Sequence, residues 1–192
     1  QKALEIRQRL LPATHSDTLH AAAELAESYI RLGLNDQAEK LLTEWLRKVR
    51  PSRNGASFGE AWLLYEKGWL LQVQGRSDEA LSYLHQSIAI LNRTIGAGHI
   101  RSRNVLWQLA AATQDAGRVE EAERLWREGV RQSEGDLGPE HFMTIQFKKG
   151  LAYFLLEKKE PRQAREILEQ ILPSYHRITG PDHNNALDAE GL

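Results

Sequence analysis

The chain has 192 residues, with 25 Lys and Arg against 26 Asp and Glu, no cysteine, and 41% hydrophobic residues. A net charge of -1 offers no cationic field to nucleic acids or anionic membranes, and the lack of cysteine excludes disulfides, thiol nucleophiles and cysteine-ligated zinc. No apolar run approaches the roughly 20 residues that span a bilayer. We therefore expect a soluble, cytoplasmic protein, and the start at Gln1 without a signal-like segment suggests a piece of a longer one.

A period of 42 residues organises the chain. One column of the repeat holds a small residue, and its members are Ala38, Ala80, Ala122 and Ala164. Apolar residues follow four and eight positions after each alanine, which is helical spacing. A glycine stands five positions before three of these alanines, at Gly33, Gly75 and Gly117. Such a recurring pattern indicates a stack of similar units.

Each unit of the repeat is predicted to contain two helices. The glycine ends the first helix, because it accepts a left-handed conformation, and the acidic residues before the alanine begin the second, where the helix dipole favours them. In the last repeat Pro161 suits that first turn. A linker box, Gly138 to His141, leads to the next repeat and recurs as Gly180 to His183 and, more loosely, as Gly96 to His99. Since no stretch alternates with period two, we predict an all-α chain.

The period divides the chain into four repeats and two fragments. We place the repeats at approximately residues 15–56, 57–98, 99–140 and 141–182, and the partial repeats at 1–14 and 183–192, all within one domain of residues 1–192. Residues 1–10 are predicted to be a lone second helix, and residues 180–192 the start of an unfinished first helix. Because solenoids need polar capping repeats, we expect fraying at the carboxyl end or self-association through the truncated ends.

The glycine-to-alanine spacing ahead of an apolar helix resembles the tetratricopeptide repeat (TPR), and the 42-residue period with its Gly-Pro-acidic-His linker resembles the kinesin-light-chain-like subtype. The resemblance covers essentially the whole chain and implies a right-handed α-solenoid. HEAT and armadillo repeats have similar periods but would not repeat this spacing. The sequence departs from the pattern at Lys159, which replaces the helix-ending glycine, and at residues 54–57, which lack the linker box. Lys67 and Lys148 stand in columns otherwise held by Leu or Ala.

Two features invite a catalytic or metal-binding interpretation. Residues 55–59 match G-x-S-x-G, but that nucleophile motif needs a strand-to-helix turn, so we expect Ser57 to cap a helix instead. Four histidines share one column, His15, His99, His141 and His183. Equivalent residues of stacked helices lie at least about 8 to 10 Å apart, too far to share one zinc ion, so we expect these side chains to form hydrogen bonds at helix starts. We predict no enzyme activity, metal or cofactor.

The first helix of the second repeat is apolar nearly all round. At about 100 degrees per residue, Leu64, Gly68 and Leu71 form one stripe and Trp62, Tyr65 and Trp69 form another on nearly the opposite side. By the TPR resemblance, the first stripe packs against the partner helix and the second lines a concave groove. The predicted groove residues are Trp62, Tyr65, Trp69, Asn104, Trp107, Gln108, Gln146, Lys149 and Tyr153.

Aromatic rings beside amide and lysine side chains are typical of a peptide-binding surface. We therefore predict a protein-interaction scaffold that binds a peptide segment of a partner protein. The alternative interpretation of the stripe is that it is core. Two other functions stay open. The chain could be a regulatory or sensor arm of a larger signalling protein, or it could be an enzyme, although the sequence suggests no convergent pocket for catalysis.

Overall fold

A computed structural model describes residues 2–49 and 56–179 of the chain. These residues form nine α-helices, α1 to α9, and no strand, which confirms the all-α prediction. The helices are, in order, Lys2–Leu10, Ser16–Arg31, Asn35–Lys48, Phe58–Val73, Ser77–Thr94, Ile100–Asp115, Val119–Leu137, Phe142–Glu157 and Pro161–Thr179. None of them combines the length and apolar character that a membrane crossing requires.

The helix starts reproduce the 42-residue period. The first helices of the repeats, α2, α4, α6 and α8, begin at Ser16, Phe58, Ile100 and Phe142, and the second helices, α3, α5, α7 and α9, begin at Asn35, Ser77, Val119 and Pro161. The alanine column on the second helices is fully buried, each member being 0% exposed. A methyl side chain at this position allows a neighbouring helix to approach closely, as expected from its recurrence.

A left-handed residue ends the first helix of every repeat. Gly33, Gly75 and Gly117 have φ of 73°, 74° and 72°, and Lys159 takes the same conformation with φ of 62°. The conformation of a glycine column is therefore kept even where a lysine replaces the glycine. Lysine carries a Cβ penalty in this region, so we infer that the packing of the helices on either side imposes the turn.

The linker histidines cap helices. His15, His99 and His141 each accept a hydrogen bond at Nδ1 from the backbone N–H two residues further on, at 3.1 to 3.2 Å. Ser57 takes the same place before α4 and accepts from the N–H of Glu60. The structural interpretation of these residues is confirmed for the described part of the chain, whereas His183 and the last linker box lie outside it.

The chain divides into two compact units, Gln1–Ala116 and Gly117–Leu192. In the first unit α4 is central and packs against α2, α3, α5 and α6, while in the second α8 packs against α7 and α9. The placement of one domain over residues 1–192, and its division into repeats, stays a prediction. The lone amino-terminal helix is confirmed as α1, which packs on α2 and exposes Ile6 and Leu10. Self-association through that end stays a prediction, and residues 180–192 lie outside the described part.

The expected contact between α4 and its partner helix is present. Leu64 and Leu71 are 6% and 1% exposed, and a Cβ added to Gly68 would lie 2.6 Å from Cγ of Leu84 on α5. Gly68 is thus a point where the side chain of α5 meets the backbone of α4. The Leu64, Gly68 and Leu71 stripe is core, as predicted.

Replacing the left-handed glycine Gly75 by alanine should lower the free energy of unfolding by about 1 kcal/mol. A Cβ there would meet no atom within 4 Å, so the cost is purely conformational. The converse change, Lys159→Gly, should stabilise by a similar amount. Gly135→Ala is the matched control, because Gly135 lies inside α7 with equally free space, and alanine there should stabilise by about 0.5 to 1 kcal/mol. Urea unfolding measures all three, and a Gly75→Ala protein as stable as the Gly135→Ala protein would contradict the assignment.

Candidate functional site

Six of the nine predicted groove residues belong to the first unit, on α4 and α6. Tyr65, Trp69, Asn104 and Trp107 are partly exposed, whereas Trp62 and Gln108 are 7% and 6% exposed. Because α4 packs against both α2 and α6, these first helices lie side by side in the unit. The structure thus brings the residues onto neighbouring helices but does not leave all of them accessible.

The expectation that Trp62 is accessible is wrong. Its indole stacks between the rings of Tyr65, with centroids 4.8 Å apart, and Phe58, at 6.0 Å. The imidazole of His20 on α2 approaches to 6.2 Å, and the guanidinium of Arg101 on α6 lies 5.0 Å from the indole centroid. Trp62 therefore serves as packing between three helices, which is the core interpretation of this residue.

Arg101 and Phe58 complete this cluster, and neither was among the predicted residues. The Arg101 guanidinium lies 5.2 Å from the ring of Phe58 as well, and 3.4 Å from Nε2 of His20. Burial, and to a smaller extent the Arg101 charge, lowers the pKa of His20, so the imidazole is neutral near pH 7. The sequence spacing could have identified both residues. Phe58 stands four positions before Trp62, and Arg101 stands three positions before Asn104, so each lies on the same helix face as a predicted groove residue.

Gln108 is also buried, and it has a structural hydrogen bond. Its side-chain amide donates to Oε1 of Gln72 on α4, and the Gln72 amide donates in turn to Oδ2 of Asp115, at 2.5 Å. This chain of bonds ties α6 to α4. The prediction of Gln108 as a ligand-orienting group does not fit its burial, because its amide is already used between the two helices.

Trp69 keeps an exposed part and a charged neighbour. The guanidinium of Arg31 on α2 lies 5.3 Å from the indole centroid, and Arg31 is held by an ion pair with Glu27 at 2.9 Å. A cation over an indole face and a carboxylate beside it fix the ring while leaving part of it open to solvent. With Tyr65, Asn104 and Trp107, this residue forms the accessible aromatic face of the first unit, and we keep that name for these four residues.

The remaining three predicted residues lie on α8 in the second unit. Gln146 donates to the hydroxyl of Tyr175 at 3.3 Å, and the Lys149 ammonium lies 5.5 Å from the ring centroids of both Tyr153 and Tyr175. Gln146, Lys149 and Tyr153 are each partly exposed, while Tyr175 is 2% exposed. The second unit therefore presents its own small group of an aromatic ring, an amide and an ammonium.

A carboxyl group is buried directly behind the aromatic face. Glu66 is 0% exposed, and neither of its oxygens has a hydrogen-bond partner among the described residues. Burial, with a smaller contribution from Glu27, raises the pKa of Glu66 to about 9, so the side chain is protonated and neutral near pH 7. A neutral carboxyl is the form that the interior can hold at least cost.

The comparisons with known proteins agree with this architecture. The Tetratricopeptide repeat family model matches residues 59–134. The solved kinesin-light-chain TPR-like repeats of Podosopora anserina are 25% identical to this chain, cover 92% of it and 83% of their own chain, and superpose with a TM-score of 0.73. Residues 59–134 thus match the tetratricopeptide repeat family, and the chain is similar in fold to kinesin-light-chain TPR-like repeats. Among curated proteins, none matches it significantly.

Two further solved TPR structures share the fold at lower identity. BtubC (BKLC) of P. vanneervenii has 16% identity and a TM-score of 0.78, with coverage of 99% of this chain and 81% of its own. YrrB, a TPR protein with an unusual peptide-binding site, has 18% identity and a TM-score of 0.63, with coverage of 100% and 83%. Both likenesses concern the fold alone.

The buried carboxyl of Glu66 makes stability depend on pH. The folded state keeps its proton up to about pH 9, whereas the unfolded chain releases it near pH 4.5, so stability should fall as pH rises between these values. The fall approaches about 1.4 kcal/mol per pH unit. Glu66→Gln should abolish this slope. The gain in free energy of unfolding over the native protein should therefore be several-fold larger at pH 8 than at pH 5.

The matched control is Glu24→Gln, because Glu24 stands in the same repeat column on α2 but is exposed. Because Glu24 also faces His20 at 3.7 Å and raises its pKa, its substitution should leave unchanged the fall in stability above pH 7, where that imidazole is neutral. Urea unfolding at pH 5, pH 7 and pH 8 gives the comparison. If the Glu66→Gln protein retained the native slope, the assignment of a protonated buried carboxyl would be wrong.

Proposed function

We propose that the accessible aromatic face of the first unit binds a peptide segment of a partner protein. The observation that carries the proposal is the partial exposure of Trp69 and Trp107 on α4 and α6, two helices that pack against each other. Large rings with few rotatable bonds bury much area at small entropic cost, and such residues dominate the binding free energy of protein interfaces. The TPR fold itself supports a protein–protein interaction scaffold.

Polar groups next to the rings support a peptide as the ligand. Asn104 is partly exposed on α6, one turn before Trp107, and its amide can both donate to and accept from a peptide backbone. The Arg31 and Glu27 pair beside Trp69 adds one charge of each sign. This mixture is typical of a surface that orients an extended segment while the rings supply the buried area.

The core beneath the face supports a rigid, preformed surface. Trp62 is locked between Phe58, Tyr65 and Arg101, and Gln108 ties α6 to α4 through Gln72. Side chains held in this way do not lose further freedom when a ligand binds, which lowers the cost of association. We assign Trp62 and Gln108 to this support and Tyr65, Trp69, Asn104 and Trp107 to ligand contact.

The group on α8 is proposed as a contact surface of the second unit. Gln146, Lys149 and Tyr153 stand in the columns of Trp62, Tyr65 and Trp69, and each is partly exposed. The alternative function, a regulatory or sensor arm of a larger signalling protein, stays a prediction, because no observation on this chain favours it over a scaffold.

Peptides selected against the whole chain from a random displayed library should lose affinity when Trp69 is replaced by alanine. We expect a loss on the order of 2 kcal/mol, about 30-fold in Kd, with little change in the thermal midpoint because part of the ring already faces water. The matched variant is Trp62→Ala, which removes a buried indole and should instead destabilise the fold by about 3 to 5 kcal/mol.

Fluorescence anisotropy with labelled peptides measures the affinities, and thermal unfolding measures the stabilities. Selected peptides that bind the Trp69→Ala and Trp107→Ala proteins as tightly as the native protein would refute this face as the binding site. A midpoint that falls as far for Trp69→Ala as for Trp62→Ala would show that Trp69 is core.

A further inference from the structure

A polar cleft lies between the second helices α3 and α5 of the first unit. It has a volume of about 440 Å³, within the range usual for small-ligand sites. Both helices pack against α4, whereas the described residues of α3 and α5 do not pack against each other, so α4 forms the floor. None of the four residues of the accessible aromatic face lines it. The lining residues used below are Glu39, Arg47, Lys67, Arg76 and Glu79.

Lys67 stands on the floor of this cleft and is 6% exposed. The equivalent positions of the other three repeats hold leucine, at Leu25, Leu109 and Leu151. Burying an ammonium costs free energy that a leucine would not cost, even when the charge is paired. A lysine that interrupts a core column in one repeat alone, and does so under an open cleft, points to a role other than packing.

The ion pairs of the cleft leave two groups unmatched. Lys67 pairs with Oε1 of Glu39, and Arg76 forms a two-pronged pair with Glu79 through bonds of 2.7 Å. Oε2 of Glu39 is shielded from solvent and has no hydrogen-bond partner within the described residues. Arg47, on the same helix, lines the cleft and forms no hydrogen bond or ion pair with any residue in the ranges 2–49 and 56–179.

We infer that this cleft binds a ligand carrying an oxyanion, a carboxylate or a phosphate, next to a hydroxyl or amine donor. The oxyanion meets the guanidinium of Arg47 and the ammonium of Lys67, which together supply a positive charge beyond what Glu39 neutralises. The hydroxyl or amine donates to the carboxylate of Glu39, whose side chain is 36% exposed. The inference concerns a different surface from the proposed peptide site and stands independently of it.

Lactate and acetate form a matched pair of probes, because both carry a carboxylate and only lactate carries an adjacent hydroxyl. Each is titrated into the isotope-labelled whole chain at constant ionic strength, and amide chemical shifts are followed by NMR. We expect saturable shifts at the amides of Arg47 and Lys67, with lactate bound at least five-fold more tightly than acetate. Inorganic phosphate is titrated in the same way. Its affinity relative to that of lactate tells whether the cleft prefers a phosphate or a carboxylate.

Two variants test the residues that hold the oxyanion. Lys67→Leu restores the leucine of the repeat column, so it should fold, and Arg47→Ala changes an exposed side chain; each should weaken lactate or phosphate at least ten-fold. Lys40→Ala, an exposed lysine of α3 outside the cleft, should leave both affinities unchanged.

Two results would overturn the inference. One is chemical shifts that grow linearly with the concentration of every probe, and the other is equal affinity of the native and Lys67→Leu proteins for lactate or phosphate. Lys67 and Glu39 would then be a structural ion pair. Equal affinity for lactate and acetate would remove the role given to the Glu39 carboxylate. Loss of binding at the aromatic face would affect none of these results.

Discussion

The architecture depends on a reversal of the chain within the three residues that follow the first helix of each repeat. One residue in the left-handed region makes this reversal possible, and it recurs every 42 positions at Gly33, Gly75, Gly117 and Lys159. Because the reversal is so short, α3, α5 and α9 each return beside the first helix of their own repeat. In the first unit this places α2, α4 and α6 side by side, and α3 and α5 behind them. Both candidate sites follow from that arrangement.

The helix α4 shows how one segment serves two surfaces. Its Leu64, Gly68 and Leu71 stripe fits the side chains of α5 so closely that a Cβ at Gly68 would require Leu84 to shift. Two consecutive residues of α4, Glu66 and Lys67, have different surroundings. Glu66 is buried as a neutral carboxyl behind the aromatic face, and Lys67 is paired under the cleft between α3 and α5. A helix surrounded by four others has no fully solvated side, so each polar residue on it must be neutralised, paired or used.

Periodicity was enough to predict the fold. Helix starts, the alanine column, the left-handed turns and the histidine caps all repeat, and repetition separates such signals from chance. The accessibility of Trp62 could not be read in this way, because it depends on His20 and Arg101, which reach over the indole from two other helices. The same holds for Gln108, whose partner Gln72 lies 36 residues earlier. Column patterns tell which face a residue is on, whereas long side chains from neighbouring helices decide whether that face is open.

The most direct test of the account is the environment of the five tryptophans, followed by fluorine NMR in protein labelled with 5-fluorotryptophan. The resonances of Trp69 and Trp107 should respond to exchange of H2O for D2O in the free protein, and the same two resonances should shift when a selected peptide is added. Trp45, Trp62 and Trp126, which are 1%, 7% and 2% exposed, should respond to neither. Peptide-induced shifts confined to the buried tryptophans, or no solvent response at Trp69 and Trp107, would contradict a peptide site on the aromatic face.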